Sequence, residues 1–279
     1  MRPDASTHDR GDEAREVALD LLLRAPRPLL AGLSGLQGSG KSTFARTLAR
    51  RAAQQGARLV VLSLDDFYLA RHARQRLARA LHPLCATRGV PGTHDIDLLD
   101  DVLRALASAG PAMPARVPRF DKGRDTRLPP SRWRRIDHPP DIVLLEGWCV
   151  GVPAQAAAAL VSPCNALERD EDIDGCWRRW ANTQLADRYT TLWRRLQRLI
   201  LLQAPDFRVV RAWRGEQERG RLARAAPHAL HGAALDRFLM HYERLSRHAL
   251  RSLPGQADLR IVLDHRRRVR AIHRAVGKP

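Results

Sequence analysis

Short apolar runs alternate along this chain with stretches whose apolar residues recur every three or four positions. Asp12 to Leu23 has helical spacing at Val17, Ala18, Leu21 and Leu22, and Pro26 and Pro28 end it. Leu29 to Leu33 is an apolar run short enough for a buried strand. Lys41 to Gln55 returns to helical spacing, with Phe44, Leu48 and Ala52 on one face. Leu59 to Leu64 reads as a second buried strand, Ile142 to Leu145 as a third, Arg198 to Gln203 as a fourth and Leu259 to Leu263 as a fifth. Helices are predicted around Arg74 to Leu81 and over Asp97 to Ala109, Arg178 to Arg195, Arg208 to Arg224 and Leu235 to Leu250. Pro114 to Pro130 reads as a loop with one short extended piece. Such alternation predicts an α/β fold: a parallel sheet of about five strands with helices on both faces.

Composition narrows the function classes. No stretch approaches the roughly 20 apolar residues of a membrane span, and Met1 to Arg15 lacks the basic-then-apolar order of a secretory signal. A cytoplasmic location is expected. Cys85, Cys149, Cys164 and Cys176 stand far apart and form no CxxC pair, so reduced thiols are expected rather than a zinc or redox site. The net charge of +18 raises nucleic-acid binding as a possibility. However, only Lys41, Lys122 and Lys278 are lysines, and the other 45 basic residues are arginines spread along the chain. No aromatic-plus-basic cluster of the kind that stacks bases is present. The charge suits a polyphosphate and a small anionic partner better.

The chemistry begins between the first strand and the helix after it. Gly35-Leu36-Gln37-Gly38-Ser39-Gly40-Lys41-Ser42 matches G-x-x-x-x-G-K-S/T at every fixed position. Glycines let such a backbone turn its N–H groups onto phosphate oxygens, and the following helix adds its positive N-terminal end. Gly35 to Thr43 is therefore the expected ATP-binding segment. Lys41 is placed to reach the β/γ-phosphates, and the Ser42 hydroxyl to join a Mg²⁺ shell.

Two strands end in carboxylates at the same sheet edge, where ligands of open α/β sheets bind. Leu59 to Leu64 runs into Asp65-Asp66, and Ile142 to Leu145 into Glu146. A buried acid after four apolar residues needs a partner, so Glu146 is expected beside the metal with Ser42. Either Asp65 or Asp66 can serve as the base toward an acceptor hydroxyl; turn formation is the alternative for both.

With these residues in view, the sequence resembles the uridine kinase, phosphoribulokinase and pantothenate kinase superfamily of P-loop kinases. Within it, the chain is most similar to the D-glycerate 3-kinase-like branch. Ser63-Leu64-Asp65-Asp66-Phe67-Tyr68 resembles the superfamily's S-x-D-x-F-Y segment, whose first Asp is the base; that maps onto Asp65 and brings Tyr68 to the substrate side. Arg88-Gly89-Val90-Pro91-Gly92-Thr93-His94-Asp95 looks like the branch's R-G-x-x-G-S/T-H-D segment. Arg119-Phe120-Asp121-Lys122 is similar to its F-D-K loop, Glu146-Gly147-Trp148 to its E-G-W strand end, and Trp213-Arg214-Gly215-Glu216-Gln217-Glu218 to its W-R-x-x-Q-E lid helix. After Lys122 the chain departs from the plant enzymes, running directly into Gly123-Arg124-Asp125-Thr126-Arg127.

With no internal repeat, low-complexity tract or Gly/Ser linker, the chain reads as one domain over residues 1–279, with 1–27 as an N-terminal helix and arm and a helical lid at about 205–228; the resemblance, over about Leu29 to Val269, implies that this domain is a P-loop kinase. It implies transfer of the ATP γ-phosphoryl group to a small anionic acceptor, D-glycerate first. Catalytic roles fall to Lys41, Asp65 and Arg214. Acceptor contacts fall to Asp65, Tyr68, Arg88, His94, Arg119, Asp121 and Lys122, and metal contacts to Ser42 and Glu146. A nucleoside, pantothenate or a sugar phosphate are rival acceptors, and a nucleic-acid-stimulated NTPase is the rival of another class. Trp148 and Trp213 are expected to pack rather than to stack on a base.

Overall fold

The computed structural model describes residues 5–222 and 230–275. The predicted lid therefore lies outside the described residues over 223–228, and the N-terminal arm over 1–4.

Helix α1 (Ala5–Leu23) leads into β1 (Leu29–Gly35), and the phosphate-loop motif connects β1 to α2 (Lys41–Gln54). β2 (Leu59–Ser63) stops before the two aspartates, because Leu64–Phe67 close into a 3₁₀ turn. Helices α3 (Arg71–Ala80) and α4 (Ile96–Ala107) follow; the Asp95 side chain caps α4 by accepting from the Leu98 N–H. The segment read as a loop holds two small antiparallel pairs. One joins β3 (Ala115–Val117) to β6 (Arg134–Ile136), the other β4 (Phe120–Asp121) to β5 (Thr126–Arg127).

β7 (Ile142–Gly147) is buried at every residue. The short helix α5 (Ala166–Glu171) was not expected from sequence. The stretch read as one helix from Arg178 to Arg195 is instead α6 (Cys176–Gln184), a π-helical turn over Leu185–Tyr189, and α7 (Thr190–Trp193). Thr190 explains part of the irregularity: its hydroxyl bonds back to the Leu185 carbonyl at 2.9 Å. β8 (Arg198–Gln203), α8 (Val209–Leu222), α9 (Gly232–Ser252), β9 (Leu259–Leu263) and β10 (Val269–Arg274) complete the chain.

The main sheet has six strands in the order β10-β9-β8-β1-β7-β2. Five are parallel, as expected. The sixth, β10, pairs antiparallel with β9 and was missed. Strand side chains alternate between two cores. In β7, Ile142 and Leu144 enter the core with Leu48, Ile200 and Ile261, while Val143 and Leu145 enter the core with Leu62, Leu106 and Leu245. β1 and β2 flank β7, so Glu146 lies in register with Leu33 on one side and Ser63 on the other. Both carboxylate-bearing strand ends and the phosphate loop thus share one edge.

Candidate active site

The phosphate loop owes its shape to two left-handed glycines. Gly38 has φ +80° and Gly40 has φ +91°. At Gly38 a Cβ would come within 2.6 Å of the Trp213 Cβ, so helix α8 packs directly on the loop. Trp213 is itself buried and donates its indole N–H to the His265 carbonyl at 2.7 Å. Arg267 lies over the Trp213 ring, 5.8 Å from its centroid, and reaches the Gly38 carbonyl at 3.5 Å. His265 and Arg267 belong to the turn between β9 and β10, and no sequence motif pointed to them.

Gln37, Gly38, Gly40, Lys41, Ser42 and Thr43 line an open cleft of about 760 Å³. Gly35, Leu36 and Ser39 lie beneath it rather than in it. Gly35 ends β1 against the Leu202 carbonyl, and Leu36 is buried in the core. The Leu36 carbonyl accepts from the Lys41 ammonium at 3.0 Å. Burial pushes the Lys41 pKa down from its ordinary value, and the nearby Glu146 and Asp65 carboxylates oppose that shift.

Glu146 is 4% exposed. Its Oε1 accepts from the Ser42 hydroxyl at 2.7 Å and from the Ser63 hydroxyl at 2.9 Å. These oxygens suit a hard cation such as Mg²⁺, which takes oxygen donors and keeps other positions for phosphate and water. Among the described residues there is no cluster of three or more His, Cys, Asp or Glu side chains able to hold a metal by themselves. Such a cation would therefore need further oxygens, from water or phosphate, to complete its shell.

The structure separates the two aspartates. Asp65 lines the cleft, and its Oδ2 accepts from Lys122 Nζ at 2.5 Å. Burial by itself raises the Asp65 carboxyl, but Lys122, through charge and hydrogen bond, outweighs it. With smaller help from His94 and Lys41, the carboxyl is held well below the usual range. Asp66 turns away and accepts the Phe120 N–H at 2.9 Å, tying the 3₁₀ turn to β4. Burial raises its pKa.

Tyr68, Arg88, Lys122, Trp148, Arg214 and the lid motif's Gln217 line the same cleft, joined by Phe238 and Tyr242, which sequence reasoning had not singled out. Trp148 is buried edge-on to Tyr242, with ring centroids 4.9 Å apart, so both tryptophans pack as expected. Arg214 is not a solvated surface side chain. It pairs with Glu218 at 2.6 Å, bonds Gln217 at 3.0 Å and sits 5.8 Å from the Phe238 ring centroid. Helix α8, the expected lid, forms a wall of the cleft.

Three expected acceptor contacts lie elsewhere. His94 is buried behind Tyr68, stacked on it at 4.3 Å, with Nδ1 2.7 Å from the Tyr189 hydroxyl. Burial pushes its pKa down to about 3, leaving a neutral imidazole that braces the loop. Asp121 folds back to accept the Gly123 and Arg124 N–H groups at 2.8 and 3.1 Å, so it shapes the turn after β4. Arg119 is exposed and faces a separate groove with Arg46, Asp66, Arg132 and Arg134, which meets the cleft only through Ser42 and Glu146.

The loop after Lys122 is held by ion pairs that sequence could not reveal. Asp125, at φ +53°, accepts from the fully buried Arg74 at 2.5 and 3.2 Å and also from Arg88. Arg127 bonds Asp95 at 2.9 Å and the Tyr68 carbonyl at 3.2 Å.

Known proteins resemble this chain in sequence and in fold. Residues 30–177 match the model of the Phosphoribulokinase / Uridine kinase family. An uncharacterized kinase of Schizosaccharomyces pombe, mug58, is 34% identical over 205 residues, covering 71% of this chain and 73% of that protein. The chloroplastic D-glycerate 3-kinase of Arabidopsis thaliana is 28% identical over 202 residues, covering 68% of this chain but 41% of the plant protein. The solved structure of D-glycerate 3-kinase from Cryptococcus neoformans superposes with a TM-score of 0.76 at 22% identity, over 98% of this chain and all of that one. The fold is thus shared with that enzyme. Together with the phosphate loop and the paired strand-end carboxylates, the family match places the chain: it belongs to the Phosphoribulokinase / Uridine kinase family.

Proposed function

We propose that this protein transfers the γ-phosphoryl group of ATP to a hydroxyl of D-glycerate. One observation carries the reading: the phosphate loop and Asp65, a carboxylate held ionised by Lys122, line a single cleft that Arg88 also lines. A base paired with one cation, in a cleft that holds a second, suits an acceptor that combines a hydroxyl with a negative charge. The two D-glycerate 3-kinases similar to this chain favour glycerate among such acceptors.

Asp65 takes the acceptor's proton as the acceptor oxygen bonds to the γ-phosphorus and the bond to the β–γ bridging oxygen breaks, releasing ADP. Lys41 and Arg214 line the cleft and would meet the charge that develops on the phosphate oxygens. Ser42 and Glu146 would hold Mg²⁺. When bound, such an ion would neutralise charge on the phosphates.

The test is ADP release with an acceptor panel: D-glycerate, nucleosides, pantothenate and sugar phosphates. D-glycerate should give the highest kcat/KM. ATP hydrolysis stimulated by DNA or RNA without any small acceptor would overturn the reading. Asp65→Asn should lower kcat by ~10²- to 10⁴-fold, the scale of general-base catalysis, with ATP binding retained.

A further inference from the structure

A second, open pocket adjoins the cleft and shares Arg88, Lys122 and Phe238 with it. Arg71, Gln75 and Thr87 add to its walls. Lys122 is occupied by Asp65. Arg88 is differently placed. Its guanidinium sits between two aromatic rings, 5.7 Å from the Phe120 centroid and 6.0 Å from that of Phe238. Its side chain is 14% exposed.

The charge count at this point is unbalanced. Asp125 is the carboxylate partner of both Arg74 and Arg88, and Arg74 grips it with two nitrogens. Two guanidinium ions on one carboxylate leave a net positive charge in an aromatic-walled site. Desolvating an uncompensated charge is costly. Moreover, Arg88 spends one nitrogen on Asp125, which leaves N–H donors at the junction of the two cavities. A planar guanidinium with free donors is suited to a carboxylate, which it can bind through two parallel hydrogen bonds.

We infer that Arg88 is the receptor for the acceptor's carboxylate, and that Asp125, clamped by Arg74, is the positioning residue that orients it. The inference deepens the proposed glycerate kinase reading and rests on it for the identity of the acceptor. It gives the segment after Lys122 a purpose: this loop carries Asp125, and Asp125 fixes where the anionic end of the acceptor lies relative to Asp65. The left-handed backbone at Asp125 is tolerated by Asp better than by most residues, and it turns the carboxylate toward both arginines.

Two measurements test this. The first is calorimetric binding of tartronate, a glycerate analogue with a second carboxylate in place of the primary alcohol, to the full chain saturated with a non-hydrolysable ATP analogue. Arg88→Gln and Asp125→Ala should each weaken tartronate at least ~10-fold, the scale of a charge-assisted hydrogen bond, while Arg76→Ala on the exposed side of α3 should not. The second is steady-state kinetics. Asp125→Ala should raise the KM for D-glycerate at least ~10-fold and leave the KM for ATP unchanged, with Asp125→Asn in between. Melting temperatures identify any variant that fails to fold, and Arg88→Lys, which keeps the charge but not the fork, then takes its place. Tartronate affinity equal in wild type and the Arg88 variants, or no binding to wild type, overturns the inference. Arg88-dependent tartronate binding in an enzyme that does not phosphorylate D-glycerate supports the anion site and refutes the glycerate reading.

Discussion

Lys122→Met tests how the proposed base is kept ionised. Lys122 Nζ lies 2.5 Å from Asp65 Oδ2 and supplies the largest influence opposing burial. An adjacent cation typically lowers a carboxyl by ~1–3 pH units, each unit being about 1.4 kcal/mol. Lys122 is 42% exposed, so solvent screening places the effect toward the lower end, at about 1–2 kcal/mol. Without Lys122, only the smaller influences of His94 and Lys41 oppose burial, so the Asp65 carboxyl should titrate at a higher pH than in the wild type. The sign of the stability change follows. A depressed carboxyl stabilises the fold above the unfolded-state value of about 3.9, and that contribution is lost as pH falls through the folded value. The wild-type advantage over Lys122→Met should therefore be full at neutral pH and shrink below about pH 4. The assay is carboxyl-carbon NMR of labelled aspartate, with the Asp65 signal assigned through Asp65→Asn, alongside urea midpoints from pH 3 to 7. An Asp65 titration identical in wild type and variant would refute the account.

The remaining predictions concern other walls of the cleft. Gly38→Ala places a methyl 2.6 Å from the Trp213 Cβ at φ +80°; the left-handed backbone alone costs about 1–2 kcal/mol, so the urea midpoint should fall and the ATP Kd should rise together. Glu146→Gln keeps the shape but removes the charge beside Ser42, so the Mg²⁺ concentration needed for half-maximal rate should rise at least ~10-fold, read from a Mg²⁺ titration at fixed ATP. Arg214→Ala should lower kcat by ~10²-fold or more if it stabilises the transferring phosphoryl group; a raised KM with unchanged kcat would assign it to ground-state binding instead.

The parts legible in the sequence were those set by local pattern. β8 and β9 have the bounds that their apolar runs indicate, and the phosphate loop follows from its glycines and Lys41. β10 was missed because it is an edge strand: Arg270 and His273 face outward and its register slips by one residue between Val269 and Ala271. The end of β2 was misjudged by one residue because Leu64 looks like strand but is buried in a 3₁₀ turn. Within the site, Asp65, Lys122, Arg88 and Glu146 were readable as residue types at strand ends and in motifs. The choice of Asp65 over Asp66 within the cleft was not, since it depends on the Phe120 N–H, 54 residues away, capturing Asp66. His94 and Asp121 stood in motifs yet serve the loops that carry them. Asp125 and Arg74 were invisible because one arginine among 45 reveals its partner only in three dimensions.

The brace beneath the phosphate loop has a consequence for the order in which the molecule is made. The loop itself is translated early, but Arg267, which reaches the Gly38 carbonyl, follows it by 229 residues, and His265, which holds Trp213 in place, comes almost as late. A growing chain carries its nucleotide-binding motif long before the parts that shape it are available. The nascent protein is thus expected to hold ATP weakly until the final hairpin docks, so tight nucleotide binding would report that synthesis and folding have both reached the far edge of the sheet.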